Sequence, residues 1–340
     1  MKTGVAYFHN RDVRHFERDL DDIIAHGCNF VVHCYSEIDM AWYNQAVEKI
    51  VRMTKDRGLT VYLDPWGLGG VFGGETFSKF VGEHLEARQI ARDGTSLPAA
   101  CPNQPAFREL IELWVQRAAD LGADVVLWDE PHFYYDFVHT SSWENWACRC
   151  PACRDLFRKE TGSDIPDQLT PEVETFRQRC MLKFLDQNCA QARGLGMKNC
   201  VCLLPDETGS LGKVAGTSPW HRIVRLPDVD IFGTDPYWAL FGGEVDEFVG
   251  RYCARVKDLC ATYKKEAQIW ILAFLITEGR EEEVGRAVEI ARSHGIKNIA
   301  AWAYRGNHAI DIKCTDPEKV WEILGEAFRK AQAGSRGPQG

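Results

Sequence analysis

Two groups of reactive side chains lie within one stretch of this chain, "DVVLWDEPHFYYDFVHTSSWENWACRCPACRDLF" (124–157). The first is Asp129-Glu130, closing an apolar run just before a proline. Two adjacent carboxyls differ in proton affinity when one loses its proton first, because that charge raises the pKa of the other. Paired in this way, Glu130 can serve as a general acid/base with Asp129 as its charged neighbour. The second group is C-x-C-x-x-C at Cys148, Cys150 and Cys153. Three thiolates on a tight turn supply three corners of a tetrahedral zinc site. The fourth ligand must come from elsewhere, and Cys101 in "AACPNQPAFREL" is the best placed, with His132 and His139 as alternatives. A closed four-thiolate site has no open position for substrate, so the expected zinc is structural.

These residues need a frame. Eight short runs rich in Val, Ile and aromatics recur along the chain: 4–9, 29–35, 60–65, 124–130, 199–205, 230–236, 269–274 and 298–304. Longer amphipathic segments separate them, three of which end in glycine, as a helix C-terminus favours. Continuous apolar strands alternating with helices imply parallel strands covered by helices. Eight such units fit an α/β fold of the (β/α)8 (TIM) barrel type. The competing open doubly wound sheet usually carries a Gly-rich phosphate turn after its first strand, and "AYFHNRDV" has none. The expected organisation is a single barrel over 1–332, a zinc-binding insertion at about 131–160 and a disordered tail at 333–340.

In a barrel, chemistry gathers where strands end and loops begin. The strand ends supply acids, namely Asp64, Asp129, Glu130, Asp206 and Asp235, with Glu278 farther along. They also supply the rings of Trp66, His132, Tyr237, Trp238 and Trp302, and the guanidinium of Arg305. Carboxylates with aromatic rings suit a sugar, since rings stack on its C–H faces and carboxyls bind hydroxyls and move protons. Asp235, in "GTDPYW", mirrors the motif around Glu130 and is the favoured second carboxylate, with Glu278 and Asp129 as alternatives. Trp66, Trp238 and Trp302 are candidate platforms, and Arg305 could meet an acidic sugar or pair with an acid of the barrel. The glycine-rich "LDPWGLGGVFGGE" (63–75) reads as a mobile substrate loop.

The segments "CPNQPAFREL", the acidic tip and "CRCPACRDLF" together resemble glycoside hydrolase family 42, the β-galactosidase-like members of the clan A (β/α)8 hydrolases. The resemblance covers about residues 95 to 160. It implies that Cys101, Cys148, Cys150 and Cys153 bind a structural zinc and that Glu130 is the acid/base. The chain departs from the family pattern at Asp129, where the family has asparagine. The glutamate expected to end the seventh strand is matched only by Glu278, which lies past it.

The leading expectation is a glycoside hydrolase acting on a small oligosaccharide or glycoside. Two alternatives stay open: a non-catalytic carbohydrate-binding barrel, and a substrate-assisted, hexosaminidase-type hydrolase using Asp129, Glu130 and Tyr237. No strand tip carries the lysine an aldolase needs, and the first strand lacks the His-x-His of a metal-dependent hydrolase. A net charge of −9 with scattered acids argues against nucleic acid as a partner. No run is apolar enough for a signal peptide or a membrane span. Thirteen unevenly spaced cysteines fit reduced thiols in the cytoplasm better than a disulfide framework. A homo-oligomer is compatible with all of this.

Overall fold

The computed structural model describes residues 1–8, 10–135 and 145–334. The strands are β1 (Lys2–Tyr7), β2 (Phe30–Cys34), β3 (Thr60–Asp64), β4 (Arg88–Ile90), β5 (Ser96–Ala100), β6 (Val125–Asp129), β7 (Lys198–Leu203), β8 (Ile231–Thr234), β9 (Glu266–Leu272) and β10 (Asn298–Trp302). All but β4 and β5 form a closed parallel barrel in the order β1-β2-β3-β6-β7-β8-β9-β10, with β10 returning to β1. The eight runs expected from the sequence are these eight strands, displaced by three residues or fewer at their starts.

Closure follows from the burial pattern. Every residue of β2, β6, β8 and β10 is buried, because helices cover the outer face and side chains fill the inner one. Several polar residues inside the barrel are paired. Asn199 accepts from the Trp128 indole at 2.9 Å, and Gln268 donates to Asn298 at 3.0 Å. Satisfied in this way, they carry little of the penalty for burying polar groups.

The sequence reading missed two elements. One is the antiparallel hairpin β4–β5, in which Arg88 faces Ala100 and Ile90 faces Ser96. The other is the helix Pro171–Gly194, which is capped by Thr170. The last helix runs over Pro317–Ala333, so the chain is helical through residue 333, where the tail was expected to begin. Residues 335–340 and His139 lie outside the described residues. Among the described residues, no helix is long and apolar enough to cross a membrane.

Candidate active site

At the C-terminal mouth of the barrel a cavity of ≈ 470 Å³ is walled by side chains from several strand ends, including Asp129, Glu130, His132, Asp235, Tyr237 and Trp302. These six were expected there. The segment 63–75 is packed rather than loose. Val71 and Phe72 are buried, and the Gly73 N–H donates to the Asp129 carbonyl at 3.0 Å. Gly73 is glycine for reasons of space. A methyl on it would sit 2.7 Å from Asp129 Oδ2 and 3.0 Å from Glu130 Oε2, so both carboxyls crowd the same point of the loop.

Glu130 is held in an unusual backbone state. Its φ is +41°, a left-handed value that costs a residue with a Cβ on the order of 1 kcal/mol or more. The turn is fastened from both sides, by the Glu130 N–H to Cys202 O at 3.0 Å and the His132 N–H to Val71 O at 2.9 Å. His132 Nδ1 lies 2.5 Å from the Glu130 carbonyl. Because a carbonyl only accepts, that nitrogen carries the hydrogen and Nε2 is left as an acceptor. Burial pushes the His132 pKa down to about 4, so the ring is neutral.

Five carboxyls share this end of the barrel. Asp64, the last residue of β3, is fully buried and does not line the cavity. Burial pushes its pKa well up, and the charges of Glu75 and Glu130 add to that. Asp129 is raised by burial and by Asp64, Glu130 and Glu75. Glu130 is raised by burial; a hydrogen bond with Asp235 opposes this and the charge of Glu75 reinforces it. Asp235 is driven well up by burial, then by the charge of Glu130 and the hydrogen bond between them. Two carboxyls bond each other only when one of them carries a proton, so the closeness of Glu130 and Asp235 raises the proton affinity of the pair. Glu75 completes the set and was not singled out in the sequence. Its carboxylate accepts from Trp66 Nε1 at 3.1 Å and Trp302 Nε1 at 3.2 Å. Burial raises its pKa while these two indoles oppose the rise.

Several expected site residues lie elsewhere. The Trp66 ring is stacked on Phe8, 4.9 Å between centroids, so it acts on the mouth through Glu75 and not as an open platform. Trp238 is fully buried and donates to Glu283 at 2.6 Å; its ring is core packing. Asp206 caps a short helix by accepting from the N–H groups of Gly209 and Leu211 at 2.7 and 2.9 Å. Arg305 Nη2 donates to both carboxylate oxygens of Glu318, at 2.7 and 2.6 Å, the pairing alternative to an acidic sugar. Glu278 is exposed on the loop after β9 and does not line the cavity. Its place at the mouth is taken by Phe274, which meets Tyr237 edge to face at 5.4 Å. Tyr134 and Tyr135 also line the cavity. The aromatic-rich loop after Glu130 was a signal for them, and the acid ending the glycine-rich loop was a signal for Glu75.

The four cysteines do come together. The sulfurs of Cys101, Cys148, Cys150 and Cys153 lie within 4.8 Å of one another and are buried, and Cys101 Sγ is 3.4 Å from Cys153 Sγ. Tetrahedral Zn–S bonds of ≈ 2.3 Å put sulfurs about 3.8 Å apart, so the cluster has the right size. Amide donors surround it, as metal thiolates require: Asn103 Nδ2 to Cys153 at 3.2 Å and the Cys150 N–H to Cys148 at 3.4 Å. Arg177, also buried, donates to the carbonyls of Ala147, Lys213 and Val214. Burial lowers its pKa to about 10, and the Cys148 and Cys153 thiols oppose the drop. The cluster pins the hairpin to the loop beyond β6. Cys101 follows β5, the Arg149 N–H reaches Ile90 O at 2.8 Å, and the Tyr134 N–H reaches Gln89 Oε1 at 3.0 Å. The cavity wall is therefore built on the cysteine cluster.

The fold is a (β/α)8 barrel with an acid-lined mouth, and solved structures share it. The endo-β-1,4-mannanase of Thermotoga petrophila is 8% identical with a TM-score of 0.62, covering 100% of this chain and 78% of its own. The PgaB (BpsB) glycoside hydrolase domain of Bordetella bronchiseptica is 13% identical with a TM-score of 0.61, covering 95% and 99%. The endo-1,4-β-mannanase of Rhizomucor miehei is 10% identical with a TM-score of 0.57, covering 97% and 95%. At such identities the likeness establishes the fold. No family model matches the sequence, and no curated protein matches it.

Proposed function

We propose that this protein is a glycoside hydrolase with a structural zinc at Cys101, Cys148, Cys150 and Cys153. The observation that carries the reading is one aromatic-walled cavity lined by Glu130 and Asp235 together with a separately fixed carboxylate, Glu75. Glycosidic cleavage needs one carboxyl that keeps its proton and another that stays ionised. Glu130 is the general acid: burial raises its pKa, and Asp235 supplies a partner that holds the proton at the site. Glu75 is the ionised partner, since two indole N–H groups stabilise its charge and fix its orientation. Trp302 both orients Glu75 and offers a ring to the sugar. The mannanases and the hydrolase domain that share the fold support the reaction class, and the mannanases make β-1,4-linked oligosaccharides the first substrates to try.

The substrate-assisted alternative uses Asp129, Glu130 and Tyr237, which do line one cavity, but it leaves Glu75 without a task. The test is a panel of β-1,4-linked oligosaccharides and aryl glycosides, with release of reducing ends as the readout. Glu130→Gln and Glu75→Gln should each reduce turnover at least about a hundredfold while melting temperature and zinc content stay unchanged. A fully active Glu130→Gln variant would end the proposal. A fully active Glu75→Gln variant would transfer the second role to Asp129 and the substrate.

A further inference from the structure

We propose that His132 is the positioning residue of the acid: its Nδ1–H clamps the Glu130 carbonyl and so keeps the Glu130 carboxyl in place in the cavity. The inference rests on the glycosidase reading for Glu130 as the acid and adds the side chain that sets its geometry.

Glu130 occupies a backbone state that its own sequence does not favour. Its φ of +41° lies in the left-handed region, where a Cβ is disfavoured. It also precedes Pro131, and residues before proline favour extended backbone. Such a state persists only where surrounding bonds over-determine it. The neighbouring groups are tied. Gly73 N–H donates to the Asp129 carbonyl at 3.0 Å, the Glu130 N–H to Cys202 O at 3.0 Å, and the Phe133 N–H to Ala215 O at 2.9 Å. Pro131 has no N–H to add. The Glu130 carbonyl itself accepts from the His132 ring at 2.5 Å, and among the described residues no backbone donor reaches it. That carbonyl turns with ψ of Glu130, so the ring fixes the rotation that the bond to Cys202 leaves free.

The ring is suited to holding a carbonyl and not to carrying the acid's proton itself. It lies against the Tyr135 ring, 4.7 Å between centroids, and the backbone N–H of His132 is held by Val71 O at 2.9 Å. Nδ1 is committed to the carbonyl and burial keeps the ring neutral, so the clamp does not change as the acid titrates. His132 and Glu130 both line the cavity, and the Glu130 carboxyl is hydrogen-bonded to that of Asp235. A turn released at the Glu130 carbonyl would let that carboxyl swing away from Asp235. The separation that sets its proton affinity would change, and so would its reach to a glycosidic oxygen.

The experiment follows the NMR signal of the Glu130 carboxyl carbon through a pH titration of the full chain, isotope-labelled at glutamate and assigned by the signal lost in Glu130→Gln. Alongside it, kcat and KM are measured on the best-cleaved member of the β-1,4-linked panel. His132→Asn places an amide donor near the position of Nδ1, whereas His132→Gln places its amide near Nε2 and leaves the Glu130 carbonyl bare. His132→Ala removes both. The Glu130 midpoint is expected to hold in His132→Asn and to move by at least about half a pH unit in His132→Gln and His132→Ala. In the latter two kcat should fall at least about tenfold and in His132→Asn it should recover, with KM within about threefold throughout. Melting temperatures on the same samples identify a variant that fails to fold; should His132→Ala do so, Asn against Gln decides. An unmoved midpoint in His132→Ala, recovery by Gln rather than Asn, or recovery by neither overturns the proposal. A midpoint that moves and is restored by Asn, without cleavage of any panel member, leaves this inference standing and removes the hydrolase reading. Cleavage that needs Glu130 but is indifferent to His132 does the reverse.

Discussion

Replacing Gly73 by alanine tests the site with a single methyl group. The backbone there is not in the left-handed region, so alanine fits its conformation and the whole cost falls on neighbouring atoms. The new carbon would lie 2.7 Å from Asp129 Oδ2 and 3.0 Å from Glu130 Oε2. Comfortable contact is about 3.5 Å, so Asp129 must withdraw by roughly 0.8 Å and Glu130 by about half an ångström. A misplacement near 1 Å at reacting groups costs about a hundredfold, and kcat/KM should fall by one to two orders of magnitude. Gly82→Ala is the matched control. It lies in the helix Lys79–Glu83 with nothing within 4 Å of the added methyl, so activity should hold and stability should rise by about 0.5–1 kcal/mol. The assay is steady-state cleavage of the best oligosaccharide, with thermal melting on the same samples. A folded Gly73→Ala protein with kcat/KM within twofold of wild type would refute the placement of both carboxyls against this loop.

Elemental analysis should find one zinc per chain, and Cys153→Ser should lose it and lower the melting temperature, since metal binding contributes folding free energy; a metal-free wild-type protein of equal stability would contradict this. Arg177→Met should destabilise by at least about 2 kcal/mol in urea titration, because two buried carbonyls and one half-buried one lose their donor; a loss under 1 kcal/mol would show that water replaces it. Asp64, Asp129 and Asp235 bind protons more tightly folded than unfolded, so the folded state carries more protons between the unfolded pKa near 4 and the raised native values. Stability should therefore fall as pH rises through that window, and Asp64→Asn should raise the melting temperature at about pH 8 and flatten the slope. A lower melting temperature for that variant would mean that ionised Asp64 has a stabilising partner.

Much of this was legible in the chain itself. Apolar runs alternating with amphipathic segments determine eight parallel strands, because strands covered on both faces must be continuously apolar while their helices show one apolar side. The Asp129-Glu130 tip and the C-x-C-x-x-C spacing are local signals, and Cys101 could be matched to them because it precedes the helix that leads into the same strand.

What the sequence could not decide is which strand-end side chains turn into the mouth. Trp238 and Trp302 look alike in sequence, each close to the end of a strand. One donates to Glu283 in the packing and the other to Glu75 at the cavity, and only their distant partners separate the two fates. Glu75 lies in a glycine-rich loop without periodicity, and indoles from two separate segments, at Trp66 and Trp302, hold it in place. Arg305 and Asp206 were drawn from the site by Glu318 and by a helix N-terminus. Short-range pattern determined the barrel because hydrogen-bonded strands and helices obey local rules. The set of acids that line one cavity was decided by contacts between residues far apart in the chain, which only closure of the barrel brings together.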